Sequence, residues 1–272
     1  SLGDTIAWFP YLEKFGQVYG CKVIAATWWN ELFEGKYPEL EFAKIGAVVP
    51  DLYASFGIGV YDGDGNRNKN RWNTIPLQQV ASDTLGLEFE ELRPRISEIV
   101  PKESSSWKFS PLDYVCVSEH STMQAKYWNF PGGWQRVVDH IRSKGLDVLT
   151  IGSEGSELKG VKKIVDKPIM TIADILLRAK GFIGVGSGLS WLSWAVGTPV
   201  VMISGFSEDF CEFQTGNHRL INKEVCHGCF NDPNIPFDRG NWAWCPRNKN
   251  FECTKNIKPE SVIEAVEKIL SR

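Results

Sequence analysis

The stretch GFIGVGSGLSWLSWAVGTPVVMISG, residues 181–205, decides the fold. Its first apolar run, FIGV, reads as a buried strand. The run feeds Gly186, Ser187 and Gly188, after which SWLSWAVG reads as a buried helix and TPVVMISG as a second buried strand. A strand, a glycine-rich turn, a helix and another strand make a βαβ unit, and βαβ units build parallel sheets.

The same alternation runs upstream. DYVCVSEHS is a strand and loop, FPGGWQRVVDHIRSKG a helix stopped at Gly145, and LDVLTIGSEGSEL a strand ending in a small-residue loop. VKKIVDKPIMT is a short strand and loop, and TIADILLRAKG a helix with Thr171 as its expected N-cap. Residues 105–272 are therefore expected to form an α/β domain, an open, mostly parallel sheet with helices on both faces. Residues 1–104 repeat the alternation less clearly. DTIAWFPYLEKFGQVYG is helical with a stop at Gly20, CKVIAAT a short buried strand, NELFEGKYPEL a helix or broken turn, EFAKIGAV a lead into the next strand, DLYASFGIGVY strand-like and PLQQVASDTLGL a helix. RPRISEIVPKESSSW reads as an extended linker. Two Rossmann-like domains of this kind face each other across a cleft where the carboxyl ends of their strands meet.

The 272 residues suffice for two domains of ordinary size. The chain is 43% hydrophobic and 23% charged, within the range of soluble globular proteins. A net charge of −3 gives no broad basic surface, so nucleic acid is not an expected partner. The least polar stretch, residues 189–203, falls short of the ~20 residues of a membrane span and is broken at Gly197, Thr198 and Pro199. The opening SLGDTIAWFP has no basic n-region and no long apolar run, so no secretion signal is read. It resembles the loop and helix that follow a first strand, so the first domain is expected to be truncated and the chain part of a longer protein. The loop DGDGNRNKN, residues 62–70, imitates a calcium loop, but Arg67 and Asn73 stand where the glycine and glutamate are needed. A solvated turn is expected.

Three loops following strands of the second sheet can bind a ligand. At Gly186 and Gly188 a backbone without Cβ atoms can approach a diphosphate, and the free N–H groups of Gly188, Leu189 and Ser190, with Ser187 beside them, open a helix where an anion fits. The pattern is neither GxGxxG, because Trp191 holds the last position, nor a P-loop, so no nicotinamide or flavin is expected. A tight turn without a ligand is the alternative. The loop SEHSTMQAKYWNF carries hydroxyls, including Ser118 and Ser121, and places Lys126 where it could neutralise a phosphate; a solvated lysine is the alternative. Glu154, after the next strand, could accept from a ribose or base.

Seven cysteines is an odd number, and four of them, Cys226, Cys229, Cys245 and Cys253, cluster as C-x2-C-x15-C-x7-C within residues 224–256. A local cluster without a secretion signal points to a reducing compartment and a four-thiolate metal finger. Such a site is closed and structural, and its spacing leaves zinc and iron both open. His227, inside the first pair, is read as a bystander. Cys21, Cys116 and Cys211 are read as buried thiols.

These residues resemble a known family. KYW at 126–128, FPGGWQRVVDHIRSKGLDVLTIGSEGSE and residues 171–205 are similar to the nucleotide-sugar domain of the ADP-heptose glycosyltransferases, whose fold is of the two-domain GT-B type. SLGDTIAWFPYL is similar to their first glycine–aspartate loop. The late motif of that family, Asp-Thr-Gly followed two residues on by His, departs here: Gly186, Ser187, Gly188 and Trp191 stand in those positions. The anion site carries over, and the Asp and His side chains do not. With CHGCFND and the later cysteines, the chain resembles most the bacterial autotransporter heptosyltransferases. The resemblance implies an inverting transfer of heptose from ADP-glycero-manno-heptose to adhesin serines. It implies Asp4 as catalytic base, with a turn or cap acid as the alternative, and Lys126 at the diphosphate. Glu154 and Met170 would meet the ribose and adenine. The cysteines would hold iron, and the protein would be a cytoplasmic dodecamer. A lipopolysaccharide-core heptosyltransferase and a non-enzymatic metal-finger scaffold are the rival readings.

Overall fold

The computed structural model describes residues 1–60, 70–96, 113–235 and 243–271. Most of the loop at 62–70, most of the expected linker with the boundary near 104, and part of the finger lie outside the described residues.

The chain opens with helices α1 (Leu2–Trp8) and α2 (Pro10–Tyr19), broken at Phe9, since Pro10 has no N–H to continue the ladder. Strands β1 (Val23–Ala25) and β2 (Leu40–Phe42) pair in parallel as a two-stranded sheet, and α3 (Gln79–Thr84) follows. The second half holds β3 (Tyr114–Ser118), α4 (Gly133–Ser143), β4 (Asp147–Gly152), β5 (Lys162–Val165), α5 (Ile169–Arg178), β6 (Gly181–Val185), α6 (Gly188–Ala195), β7 (Val200–Ile203) and β8 (Asn217–Leu220). Two further helices close it, α7 (Glu252–Lys255) and α8 (Pro259–Leu270). Six strands form one parallel sheet in the order β5-β4-β3-β6-β7-β8.

Strand alternation distributes the core over two layers. Val115 and Val117 of β3 and Val201 and Ile203 of β7 face α4 and α8, burying Val137, Ile141, Val262 and Val266 with them. Tyr114, Cys116, Val200 and Met202 face α5 and α6. On that second face the core continues into the first segment, through Ile6, Ala7, Phe9, Leu32, Phe33 and Tyr37. Trp194 stacks on Phe213 at 4.8 Å, and Trp191 meets both edge-on. Removing so large a buried ring costs about 3–5 kcal/mol, so Trp194→Ala would unseat α6.

Several expectations change. Residues 51–60 form no strand, and Tyr53 is exposed. The 21–27 strand shrinks to three residues and is only half-buried. Helix α5 starts before Thr171: its N-cap is Pro168, whose carbonyl takes the Ile172 amide at 3.1 Å. Strand β8 was not anticipated. Among the described residues no helix is long and apolar enough to cross a membrane.

Candidate active site

In the six-stranded sheet the order reverses between β3 and β6, and open sheets of this kind receive ligands in the crevice beyond the carboxyl ends of the strands at such a point. Gly186, Ser187 and Gly188 leave β6 at that point. Ser187 is the N-cap of α6, yet its side chain caps nothing; its Oγ is buried and has no hydrogen-bond partner among the described residues. A buried hydroxyl without a partner is costly and asks for one. The first amides of α6, those of Gly188, Leu189 and Ser190, have no carbonyl a turn earlier to bond. The Ser190 hydroxyl is committed elsewhere, donating to the Val185 carbonyl at 2.6 Å, so Ser190 offers its amide and not its side chain.

The β3 loop supplies the opposite wall. Ser118 is buried at the end of β3, paired in register with Gly184. Ser121 Oγ reaches the Gly186 carbonyl at 3.5 Å, a contact at the limit of hydrogen bonding. His120 Nδ1 lies 3.8 Å from Glu154 Oε2, and its ring meets Tyr127 edge-on at 5.4 Å. Burial first, then the Glu154 carboxylate, raises the Tyr127 phenol above its ordinary range. The loops after β3, β4 and β6 therefore converge as the sequence implied, with His120 and Tyr127 as additional members. Met170 stands apart from these contacts, packed on the core at the start of α5.

Lys126 ends a short 3-10 turn, Gln124–Lys126, and is half-buried. It makes no ion pair among the described residues, and its charge is felt at the Cys211 thiol. Asp4 sits in the first turn of α1, where Ser1 Oγ donates to its carboxylate at 2.7 Å. Its neighbour Gly3 packs closely on Gly188. A Cβ on Gly3 would lie 3.1 Å from Trp191 and 3.4 Å from Gly188, and one on Gly188 would meet Leu2 at 3.0 Å. Helices α1 and α6 thus touch backbone to backbone at their N-terminal ends, one residue from Asp4.

The cysteines form a second locus. Cys226, Cys229, Cys245 and Cys253 line one cavity together with Ala125, Phe206 and Phe251. Amide and guanidinium donors point at their sulfurs: Lys249 N–H on Cys245 at 3.2 Å and Arg247 on Cys226 at 3.5 Å. Burial pushes the Cys229 thiol up to about 12 and Cys253 to about 11. No group of three or more His, Cys, Asp or Glu side chains among the described residues is drawn into a metal-holding set. His227 is engaged elsewhere, on the Val225 carbonyl at 2.7 Å and Glu208 at 3.4 Å. Of the remaining thiols Cys116 and Cys211 are buried, but Cys21 is exposed, because it follows the helix stop at Gly20 on the solvent side. The finger is tied to the sheet: the Gly228 and Phe230 amides donate to the Gly205 and Phe206 carbonyls, both at 2.9 Å.

Residues 76–209 match the profile of glycosyltransferase family 9 (heptosyltransferase). The autotransporter heptosyltransferase TibC of Escherichia coli O78:H11 is 34% identical, over 99% of this chain and 69% of its own length. Its crystal structure, described as that of an iron-containing dodecameric glycosyltransferase, superposes with a TM-score of 0.91 over 99% of this chain and 73% of TibC. TibC has also been crystallised in complex with ADP-D-beta-D-heptose; that structure superposes with a TM-score of 0.89 at 32% identity, over 98% of this chain and 73% of TibC. A relative from Burkholderia thailandensis, BimC, is 31% identical over 98% of this chain and 66% of its own length, and is described as an inactive autotransporter heptosyltransferase. The chain spans about two thirds of the length of these curated relatives. On this identity and coverage, the chain belongs to the autotransporter heptosyltransferase family.

Proposed function

We propose that this chain carries the catalytic machinery of an inverting glycosyltransferase that moves heptose from ADP-glycero-manno-heptose to serine hydroxyls of an autotransporter adhesin. Family membership alone does not decide activity, since one relative is inactive. The observation that supports the reading is the glycine contact between α1 and α6, which brings Gly3, the neighbour of Asp4, against Gly188 in the turn where Ser187 Oγ has no partner among the described residues.

Departure of ADP places negative charge on the diphosphate. The amides of Gly188, Leu189 and Ser190, the Ser187 hydroxyl and the Lys126 ammonium meet it with donors already in place. Asp4 takes the proton of the acceptor hydroxyl as its oxygen attacks the anomeric carbon. The carbon–oxygen bond to the diphosphate breaks as the bond to serine forms, on opposite faces, so the configuration inverts. Ser118, Ser121, Glu154 and Met170 complete the donor site around the nucleoside. In this reading residues 1–104 form the acceptor side and residues 105–272 the donor side.

The four cysteines would hold one iron ion once their side chains close on it. Their thiols share a cavity with N–H donors directed at sulfur, and the iron-containing relative supports iron over zinc. Iron bound there would supply a structural cross-link and no step of the transfer. Because Ala125 lines the same cavity, the finger also seats the turn that ends in Lys126. Assembly as a cytoplasmic dodecamer follows the same family reading, the TibC relative being dodecameric.

Titration with ADP-heptose tests the donor half: saturable binding is expected, whereas a scaffold has no reason to bind it. An adhesin passenger and a lipid-core acceptor offered side by side test the acceptor half. Heptose on the passenger is expected, and heptose on the lipid core alone would reassign the acceptor.

A further inference from the structure

Gly186 has no side chain, and the space its side chain would fill belongs to a charge. A Cβ built on Gly186 would lie 2.9 Å from Glu212 Oε1. Glu212 comes from the β7–β8 connection, so a carboxylate from another loop stands directly behind the turn that opens α6. That is an unfavourable place for an anion if the turn receives a diphosphate. Arg219, on β8, meets it: Nη1 lies 2.7 Å from Glu212 Oε2, and both side chains are only 9% exposed. Ser207 Oγ adds bonds to both carboxylate oxygens, at 3.0 and 3.2 Å. The Arg219 Nη2 group is buried and has no partner among the described residues.

We infer that the buried Glu212–Arg219 ion pair is a positioning and charge-setting element behind the donor diphosphate, balanced so that the Gly186 turn binds the nucleotide and also releases it. The inference rests on the donor-site reading above. The two members have opposite effects. An arginine keeps its charge when its partner is removed, so Glu212→Gln exposes a full cation beneath the turn. Arg219→Gln leaves the carboxylate there instead. A purely structural pair behaves otherwise: breaking it from either side loosens the same loop and weakens binding in both cases.

The experiment is calorimetric titration of ADP into the parent protein, Glu212→Gln, Arg219→Gln and the double variant, with thermal melts on each. Glu212→Gln is expected to tighten ADP by about ten-fold, the scale of one charge acting on an anion through a protein-like dielectric. Arg219→Gln is expected to weaken it by a similar factor, and the double variant to return toward the parent. Turnover of Glu212→Gln should fall while its donor KM also falls, as release of ADP becomes slower. Weaker ADP binding in Glu212→Gln overturns the inference, and does so even if Arg219→Gln fails to fold. Loss of affinity in both single variants overturns it as well. Absence of ADP binding by the parent protein would overturn the donor-site reading itself, a distinct outcome.

Discussion

The crevice between β3 and β6 and the cysteine finger sit at the same edge of one sheet and are built on opposite principles. The crevice holds groups left open. Ser187 Oγ is buried without a partner, the first amides of α6 have no carbonyl to meet, and Lys126 has no counter-ion among the described residues. The finger holds groups turned inward, with four thiols on one cavity and its loops hydrogen-bonded to the strand ends below. Open valence marks where a ligand is received, and closed valence marks what holds the receiver in place. The two meet at one short turn, where Ala125 lines the thiol cavity and the next residue is Lys126, the proposed partner of the diphosphate.

Substitutions at the two loci should therefore fail differently. Asp4→Asn should lower kcat by about a thousand-fold, the scale of a lost general base, while ADP-heptose affinity stays near the parent value. Steady-state kinetics with a donor titration checks both halves. Lys126→Ala should lower kcat/KM by about a hundred-fold, since a positioned cation acts most on the charge of the leaving diphosphate. Unchanged kinetics would remove Lys126 from the site.

At the finger, Cys229→Ser should strip most of the metal and lower Tm by roughly 10 °C, as loss of a structural ion removes folding free energy. Metal analysis with a thermal melt measures it; full occupancy by zinc in the parent protein would exclude iron. Donor affinity should also fall in this variant, through the Ala125 turn. An unchanged affinity would separate the two loci.

The smallest effects sharpen the comparison within one helix turn. Ser187→Ala should cost donor affinity about 1 kcal/mol and leave stability equal or slightly higher, because the hydroxyl it removes is unpaired. Ser190→Ala should instead cost stability by about 1 kcal/mol, since its hydroxyl is bonded to Val185. Chemical denaturation and ADP titration on the pair distinguish an open hydroxyl from a committed one.

The parallel sheet was legible because β3, β4, β6 and β7 are short apolar runs separated by glycine-stopped helices. Strand β8 was not, because Asn-His-Arg-Leu is polar and half-buried at the sheet's edge. Residues 51–60 failed in the opposite direction: they carry the composition of a strand and form none, since composition alone does not make a ladder. The glycine-rich turn, Lys126 and the cysteine quartet were visible as residue types in pattern, and Asp4 only through the resemblance of its loop. What joins them was not. The meeting of Gly3 with Gly188 and of Gly186 with Glu212 is made by folding between segments that carry no mutual signal in the chain. Motif spacing located the parts, and packing decided which parts are neighbours.

The central claim is that the α1–α6 contact assembles a heptose donor site beside a base that activates a serine hydroxyl. Mass spectrometry of a purified adhesin passenger, incubated with ADP-heptose and the full-length protein, tests it most directly. The account predicts heptosyl increments on passenger serines that vanish with Asp4→Asn. Absence of increments from a protein that binds ADP-heptose, or increments that persist in Asp4→Asn, would contradict it.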